Sequence, residues 1–324
     1  MIGIRTPFRM SFIGGGSDLK EFYSRSPGCV ISTTINKYMY IFIHPFFDDR
    51  IQIKYSKTEL VDRIEEIKHP IVKEVLKIFD LSGLDVNSIA DIPAGTGLGS
   101  SSSFTVGLLH ALYKYTNQQV TPELLARKAC KIEIDILKEP IGKQDQYAAA
   151  YGDLNFITFY PDGSVDVEPV LMDSDKYKML EENLLMFYTG KVRRAKDILI
   201  DQRKQISKDK KKYSDLKKMT DIARALKHSL INGDIDDMGP ILDENWQLKK
   251  SLSDKISKIE IDHLYDIARV NGALGGKLLG AGGGGFLLFY CKKEDQDKLR
   301  NALKNLKELP FKFESTGSLL LDIR

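Results

Sequence analysis

Residues 93–105 read Pro-Ala-Gly-Thr-Gly-Leu-Gly-Ser-Ser-Ser-Ser-Phe-Thr, and the run FTVGLLHALY continues from them with helical spacing. This stretch limits the fold more than any other. A glycine-rich turn must feed directly into a helix N-terminus there. The first N–H groups of such a helix have no internal partner and lie at the positive end of its dipole. Glycines let the backbone approach an anion with no side chain in the way. The serine hydroxyls add hydrogen bonds or reach a metal that phosphates carry. The segment predicts a nucleotide-phosphate site, the alternative being a Gly/Ser-rich helix start without a ligand. It follows neither of the two common patterns. No Lys follows Gly99, as a Walker-type loop requires, and Ser100 stands where a dinucleotide fingerprint needs its third glycine.

A chain of 324 residues suits two domains of ordinary size, and 42% hydrophobic with 29% charged residues supports a sizeable core. A net charge of +3 is too small to argue for nucleic acid and suits a small anionic substrate. Cys29, Cys130 and Cys291 are far apart and odd in number, which predicts no disulfide framework and a reducing cytoplasm. The five histidines lack ligand spacing, so no transition-metal site is expected. No signal segment or membrane-length apolar run is seen.

The first 55 residues read as strands: RMSFIG, CVISTTI, YMYIFIH and RIQIKY. Residues 57–80 carry Ile64, Ile67, Ile71 and Val72 at helical spacing, and the strand VNSIADI leads into the glycine loop. Helices are predicted over 100–117, 121–138 and 144–151, then a strand DLNFITFY with a Pro-Asp-Gly turn. A boundary is expected near 165–180, giving domains 1–175 and 176–324. The second half reads as a strand NLLMFYTG, three or four helices over 194–270, and two strands about a glycine turn in GGKLLGAGGGGFLLFY. A helix at 293–306 and strands near 310–314 and 318–322 close the chain. The whole is an α+β arrangement. The basic run KDKKKYSDLKK at 208–218 reads as a solvated helix face.

Three further segments carry chemistry. Glu133 falls late in one predicted helix and Asp145 begins the next, with Pro140 and Gly142 turning the chain between them. Phosphoryl transfer needs a hard oxygen ligand for Mg²⁺ and a carboxylate near the attacking hydroxyl, and this pair can fill both roles unless they are surface charges or caps. RTPFRMSFIGGGSDL supplies Arg5, Arg9, a glycine turn with Gly15 and Gly16, Ser17 and Asp18. An acid after such a turn can accept sugar hydroxyls or cap the next helix, and arginines can meet phosphate. GAGGGGF at 280–286 satisfies a dinucleotide fingerprint through Gly280, Gly282 and Gly285 but runs into a strand. Close backbone approach beside the phosphate loop is the better reading, a ligand-free glycine hairpin the other.

PFRMSFIGGGSD, PAGTGLGSSSS and KLLGAGGGGF, in this order and spacing, resemble the three motifs of the GHMP kinase family of small-molecule kinases. The resemblance covers essentially the whole chain. It implies a two-domain α+β fold, an S5-like N-terminal domain followed by a ferredoxin-like one, with the active site between them. It implies ATP on Gly95, Gly97, Leu98, Gly99, Ser100, Ser101, Ser102 and Ser103, and Mg²⁺ on Ser101 and Glu133. Asp145 matches the family's acidic residue taken as base, Arg9 an arginine near the reacting centre, and Asp18 a sugar-hydroxyl ligand. GGGSD stands where galactokinases have GEHTD, which argues against galactose. RMSFIGGGSDL, EPIGKQDQYAAAYG, FYTGKVRRAKDIL and GALGGKLLGAGGGGF are similar to the family's bacterial heptose 7-phosphate kinase group. That similarity implies phosphorylation of a sugar phosphate at its anomeric hydroxyl, on the way to GDP-heptose and surface polysaccharide. Lys191, Arg193 and Arg194 are then candidates to clamp the existing phosphate, with Arg5 or Lys143 as helpers. Gly15, Gly16, Ser17, Gly282 and Gly283 join Asp18 as expected substrate neighbours. Another sugar kinase of the family, such as a fucokinase, and a non-catalytic protein of this fold are the alternatives. The expected partners are ATP and a sugar phosphate, with no nucleic acid or membrane; a homodimer is compatible.

Overall fold

The structure is a computed structural model that describes residues 1–190 and 195–322. Strand β1 (Ile2–Ile13) is buried along most of its length. It pairs antiparallel with the 18-residue β2 (Gly28–Pro45), after a four-residue helix α1 (Lys20–Tyr23). Pro7 cannot donate to the ladder, and the register of β1 against β2 shifts between Pro7 and Phe8. CVISTTI and YMYIFIH are therefore one strand and not two. Its first half pairs with β6 (Asn155–Phe159) and its second with β5 (Leu84–Ala90). Residues 57–80 also differ from expectation. Thr58–Val61 is strand β4, a 3₁₀ turn covers Ile64–Glu66, and only Pro70–Phe79 is helix α2. β4 pairs with β3 (Ile51–Lys54), whose pairing with β5 is parallel. Sheet pairing and Pro70 at the first helical position override the apolar spacing that suggested one longer helix.

Helix α3 (Ser100–Tyr115) lies across β1 and β2 and is buried from Ser102 to Tyr113. Burying Leu108, Leu109 and Leu112 completely contributes ~1.5–3 kcal/mol each. A side chain at Gly107 would stand 2.8 Å from Thr6 Oγ1, so that glycine sets how closely the helix crosses the sheet. Ser103 Oγ donates to Pro7 O at 2.9 Å and pins the first turn to the bulge. α4 (Pro122–Cys130) and α5 (Gln144–Tyr151) pack beside it. β7 (Val165–Pro169) extends the sheet from β6.

After α6 (Ser174–Glu182) comes the second sheet. It contains β8 (Leu184–Tyr188), β9 (Ala273–Leu278), β10 (Phe286–Cys291) and β11 (Lys307–Glu308), all antiparallel in the order β11-β8-β10-β9. Helices α7 (Ala195–Lys208), α8 (Lys210–Asn232), α9 (Met238–Ser251) and α10 (Ile259–Val270) fill the span between β8 and β9. Lys210–Lys212 and Lys217–Lys218 lie on α8 with little burial, while Leu216 and Met219 of the same helix are enclosed. A 3₁₀ turn at Lys293–Asp295 and α11 (Gln296–Ala302) replace the longer predicted helix. The last predicted strands shrink to one bridge at Phe313 and the short β12 (Leu319–Leu320), which returns to the edge of β1. No described helix is long and apolar enough to cross a membrane.

Candidate active site

Gly95, Gly97 and Gly99 have φ of +80°, +88° and +77°, and Gly99 caps α3 with no side-chain hydrogen bond to its N-terminus. The loop is held from the second half of the chain. A Cβ on Gly97 would lie 2.5 Å from Leu279 O, one on Gly280 would lie 2.6 Å from Gly97 Cα, and one on Gly285 would lie 2.3 Å from Thr96 O. The GAGGGGF turn is thus a backbone-to-backbone support for the loop. Gly97→Ala combines left-handed strain of ~1–3 kcal/mol with that collision. It is expected to lower the denaturation midpoint and to weaken ATP binding; an unchanged midpoint would contradict the interlock.

Arg9, on β1 and 4% exposed, joins this loop to α5. Its Nε donates to Asp145 Oδ1 at 2.9 Å and its Nη2 to Asp145 Oδ2 at 2.8 Å, a bidentate fork. Its Nη1 donates to Gly97 O at 2.6 Å, and its backbone N–H to Leu98 O at 3.1 Å. One arginine therefore fixes both the carboxylate and the glycine turn. The Asp145 side chain remains 25% exposed, enough for its free lone pairs to meet a ligand.

Glu133 sits in a π-helical turn, Lys131–Ile136, that continues α4. The wider turn brings Glu133 under α3, where it is 1% exposed. Ser101 Oγ donates to its Oε1 at 2.8 Å and Gln146 Nε2 to its Oε2 at 2.7 Å. Burial pushes its carboxyl up to about 6, against the pull of Gln146, Ser101 and Ser102. No cation of the described residues pairs with it. A buried carboxylate beside a hydroxyl, held only by neutral donors, fits a hard divalent cation that keeps waters and phosphate oxygens as its other ligands.

The first glycine turn closes the other wall. Asp18 is 3% exposed and accepts Gly16 N at 2.9 Å and Gln144 N at 3.3 Å. Burial, and then the nearby Asp145, raise its carboxyl above the ordinary aspartate range. Gly142 has to be glycine here, since its Cβ would stand 1.9 Å from Asp18 Oδ2. Lys249 of α9 reaches Gly15 O at 2.9 Å and Gln202 Oε1 at 3.3 Å. Lys277 of β9 reaches Ser11 O at 2.6 Å and Phe12 O at 3.0 Å. Burial lowers Lys249 to about 8 and takes Lys277 well below its ordinary value.

One cavity of about 270 Å³ gathers Arg9, Gly15, Gly16, Asp18, Gly95, Gly97, Gly99, Ser100, Ser101, Ser102, Glu133 and Asp145. Several expected residues face elsewhere. Arg5 pairs with Glu314 at 3.6 Å and lies over the Tyr38 ring. Lys143 bonds Gly163 O and lies over the Tyr23 ring. Ser17 Oγ exchanges hydrogen bonds with the Cys29 backbone, and Ser103 is bound to Pro7. Leu98 is a core residue. Gly282 and Gly283 pack on Ile256. Lys191, Arg193 and Arg194 lie outside the described residues. Lys249, Lys277 and Gln202 also line the cavity and were not anticipated. They stand in ordinary-looking elements. The only hint was Lys277 at the head of the third motif.

Two family models match the chain: GHMP kinases N terminal domain over residues 60–153, and GHMP kinases C terminal over 223–308. A D-glycero-alpha-D-manno-heptose 7-phosphate kinase of Campylobacter jejuni is 30% identical over 95% of this chain and 93% of its own length. A bifunctional fucokinase/GDP-fucose pyrophosphorylase of Arabidopsis thaliana is 27% identical over 94% of this chain, which spans 31% of that longer enzyme. A solved D-glycero-D-manno-heptose 1-phosphate kinase from Bacteroides thetaiotaomicron superposes with a TM-score of 0.82 at 25% identity, covering 100% of both chains. With two α+β halves, three glycine motifs about one cavity and matches along nearly the full length, this chain belongs to the GHMP kinases, ATP-dependent enzymes that phosphorylate small molecules.

Proposed function

We propose that the protein is a magnesium-dependent sugar kinase. It moves the γ-phosphoryl group of ATP to the anomeric (C1) hydroxyl of D-glycero-D-manno-heptose 7-phosphate and forms the 1,7-bisphosphate. The observation that carries the reaction type is the Arg9–Asp145 fork, set in one cavity with the open N-terminus of α3 and the Ser101–Glu133 pair. The choice of sugar leans on the Campylobacter jejuni relative. With domains divided at 175/176, the glycine loop, Glu133 and Asp145 belong to the first, and Gln202, Lys249 and Lys277 to the second. The acceptor then lies between them.

Each part has a chemical task. The backbone N–H groups at the start of α3 and the hydroxyls of Ser100 and Ser102 bind the nucleotide phosphates. Glu133 and Ser101 would hold Mg²⁺, whose charge would neutralise the β- and γ-phosphate oxygens. Arg9 occupies one lone pair on each Asp145 oxygen and fixes the carboxylate plane. Asp145 receives the C1 hydroxyl on a remaining lone pair and takes its proton as the C1 oxygen bonds the γ-phosphorus. The bond between that phosphorus and the β–γ bridging oxygen breaks, and ADP leaves. Asp18 holds other sugar hydroxyls.

A panel of sugars and sugar phosphates with ATP tests the reading. Heptose 7-phosphate is expected to exceed free fucose and galactose by about 10²-fold or more in kcat/KM, as a site built for a charged group allows. The fucokinase relative makes fucose the informative competitor. Higher kcat/KM on free fucose would overturn the substrate assignment.

A further inference from the structure

The wall opposite the nucleotide loop contains more hydrogen-bond donors than acceptors. Gln202, on α7, is 0% exposed, and its Nε2 has no partner among the described residues. Ser11 Oγ, 3% exposed, has none either. Both line the cavity together with Lys249 and Lys277, which are 5% and 3% exposed. The two ammonium groups bond only backbone carbonyls and the Gln202 amide oxygen, and neither meets a carboxylate at salt-bridge distance among the described residues. Each has a third N–H left over. Asp18, the acid nearest this wall, spends an oxygen on each of two backbone N–H groups.

The donors surround one short piece of backbone. A Cβ on Gly16 would stand 2.3 Å from Gln202 Nε2 and 3.5 Å from Lys249 Nζ. A Cβ on Gly15 would stand 3.6 Å from Ser11 Oγ. Gly15 and Gly16 thus leave room for the Ser11, Gln202 and Lys249 side chains to converge, while Lys277 holds the backbone at Ser11 and Phe12. Buried donors without acceptors are costly, and buried ammonium groups more so, unless a ligand completes them. Burial also pulls both lysines below their ordinary range, Asp18 offsetting it in part at Lys249 while the positive charges of Lys249 and Arg9 add to it at Lys277.

We infer that Lys249, Gln202 and Ser11, backed by Lys277 and grouped about Gly15–Gly16, form a subsite for a phosphoryl group carried by the acceptor. The subsite is separate from the phosphate loop at 95–103, whose anion partners are the backbone N–H groups of α3. The inference deepens the proposed function, because a sugar that already bears a phosphate needs such a place. It requires no contribution from Lys191, Arg193 or Arg194.

The test uses inorganic phosphate on the full chain saturated with a non-hydrolysable ATP analogue, so that the nucleotide loop is occupied. Calorimetry is expected to show one phosphate site, weakened at least about tenfold by Lys249→Met and several-fold by Gln202→Leu, as for lost charged and neutral donors. Lys249→Arg retains most of the binding. Analogue affinity stays within about twofold, which also reports that each variant is folded. In turnover, Lys249→Met raises KM for heptose 7-phosphate by a similar factor and leaves KM for ATP unchanged. Phosphate binding indifferent to both variants, or a KM change confined to ATP, overturns the subsite. If heptose 7-phosphate proves not to be a substrate while phosphate binding still depends on Lys249, the proposed substrate fails and the subsite stands.

Discussion

Asp145→Asn is expected to lower kcat by about 10³-fold, within the 10²–10⁴ range associated with a positioned base. KM for ATP should move little. The amide keeps the shape of the carboxylate and still offers Arg9 one oxygen. What it loses is the negative charge and the ability to take a proton from the acceptor. Arg9 is nearly fully buried and its fork has no other carboxylate, so the variant also loses ~1–3 kcal/mol of stability. Steady-state kinetics at saturating ATP, with a melting curve for each protein, separate the two effects. A folded variant with kcat within threefold of the parent would remove Asp145 from the chemistry.

Glu133→Gln has the opposite sign for stability. In the metal-free protein burial pushes the Glu133 carboxyl up to about 6, from an ordinary glutamate value of 4.5. The folded state therefore binds the proton more tightly than the unfolded chain. Its contribution to stability is fully present below 4.5 and is lost as pH rises through 6. At 1.36 kcal/mol per unit the loss is about 2 kcal/mol at neutral pH. Gln carries no charge, so the metal-free variant is expected to melt a few degrees higher at pH 7.5, with the difference vanishing near pH 4. Activity moves the other way. Loss of a charged cation ligand should depress kcat/KM by about 10²-fold or more and abolish Mg²⁺ protection against heat. At limiting Mg²⁺ parent activity should fall as pH drops through 6, and the fall should move to lower pH as Mg²⁺ is raised, because the cation and the proton compete for Glu133. Melting curves across pH 4–8, with and without Mg²⁺ and nucleotide, check both halves. A variant less stable at neutral pH, or one that Mg²⁺ still protects, would refute the assignment.

The glycine loops were legible because their chemistry is local. Three glycines in alternation before a serine run specify a turn and a helix start whatever surrounds them. Arg9 and Asp145 were found through motif position, although 136 residues separate them, and nothing in the spacing announces the fork between them. The π-helical turn beneath Glu133 was not visible, since propensity does not distinguish a widened turn from an ordinary one. Gln202, Lys249 and Lys277 were missed for a different reason. Each is a polar residue, for which solvent is the default expectation, and only the tertiary fold buries it. The same fold sends Arg5 and Lys143, which sequence nominated, to partners outside the cavity.

The interlock of Gly97 with Leu279 and Gly280, and of Thr96 with Gly285, bears on how such a chain can change over time. At Gly97, Gly280 and Gly285 neither loop has room for a side chain while the other stays where it is. An isolated substitution at one of these glycines destabilises the fold, and a neutral one would require both loops to drift together. The donors on α7, α9 and β9 enter the cavity as side chains, so exchanging one disturbs its bonded neighbour, as Gln202 and Lys249 show, without moving a backbone. The glycine floor of the cavity is accordingly the part where one change calls for a second across the chain, and the wall of donors the part where a change stays local.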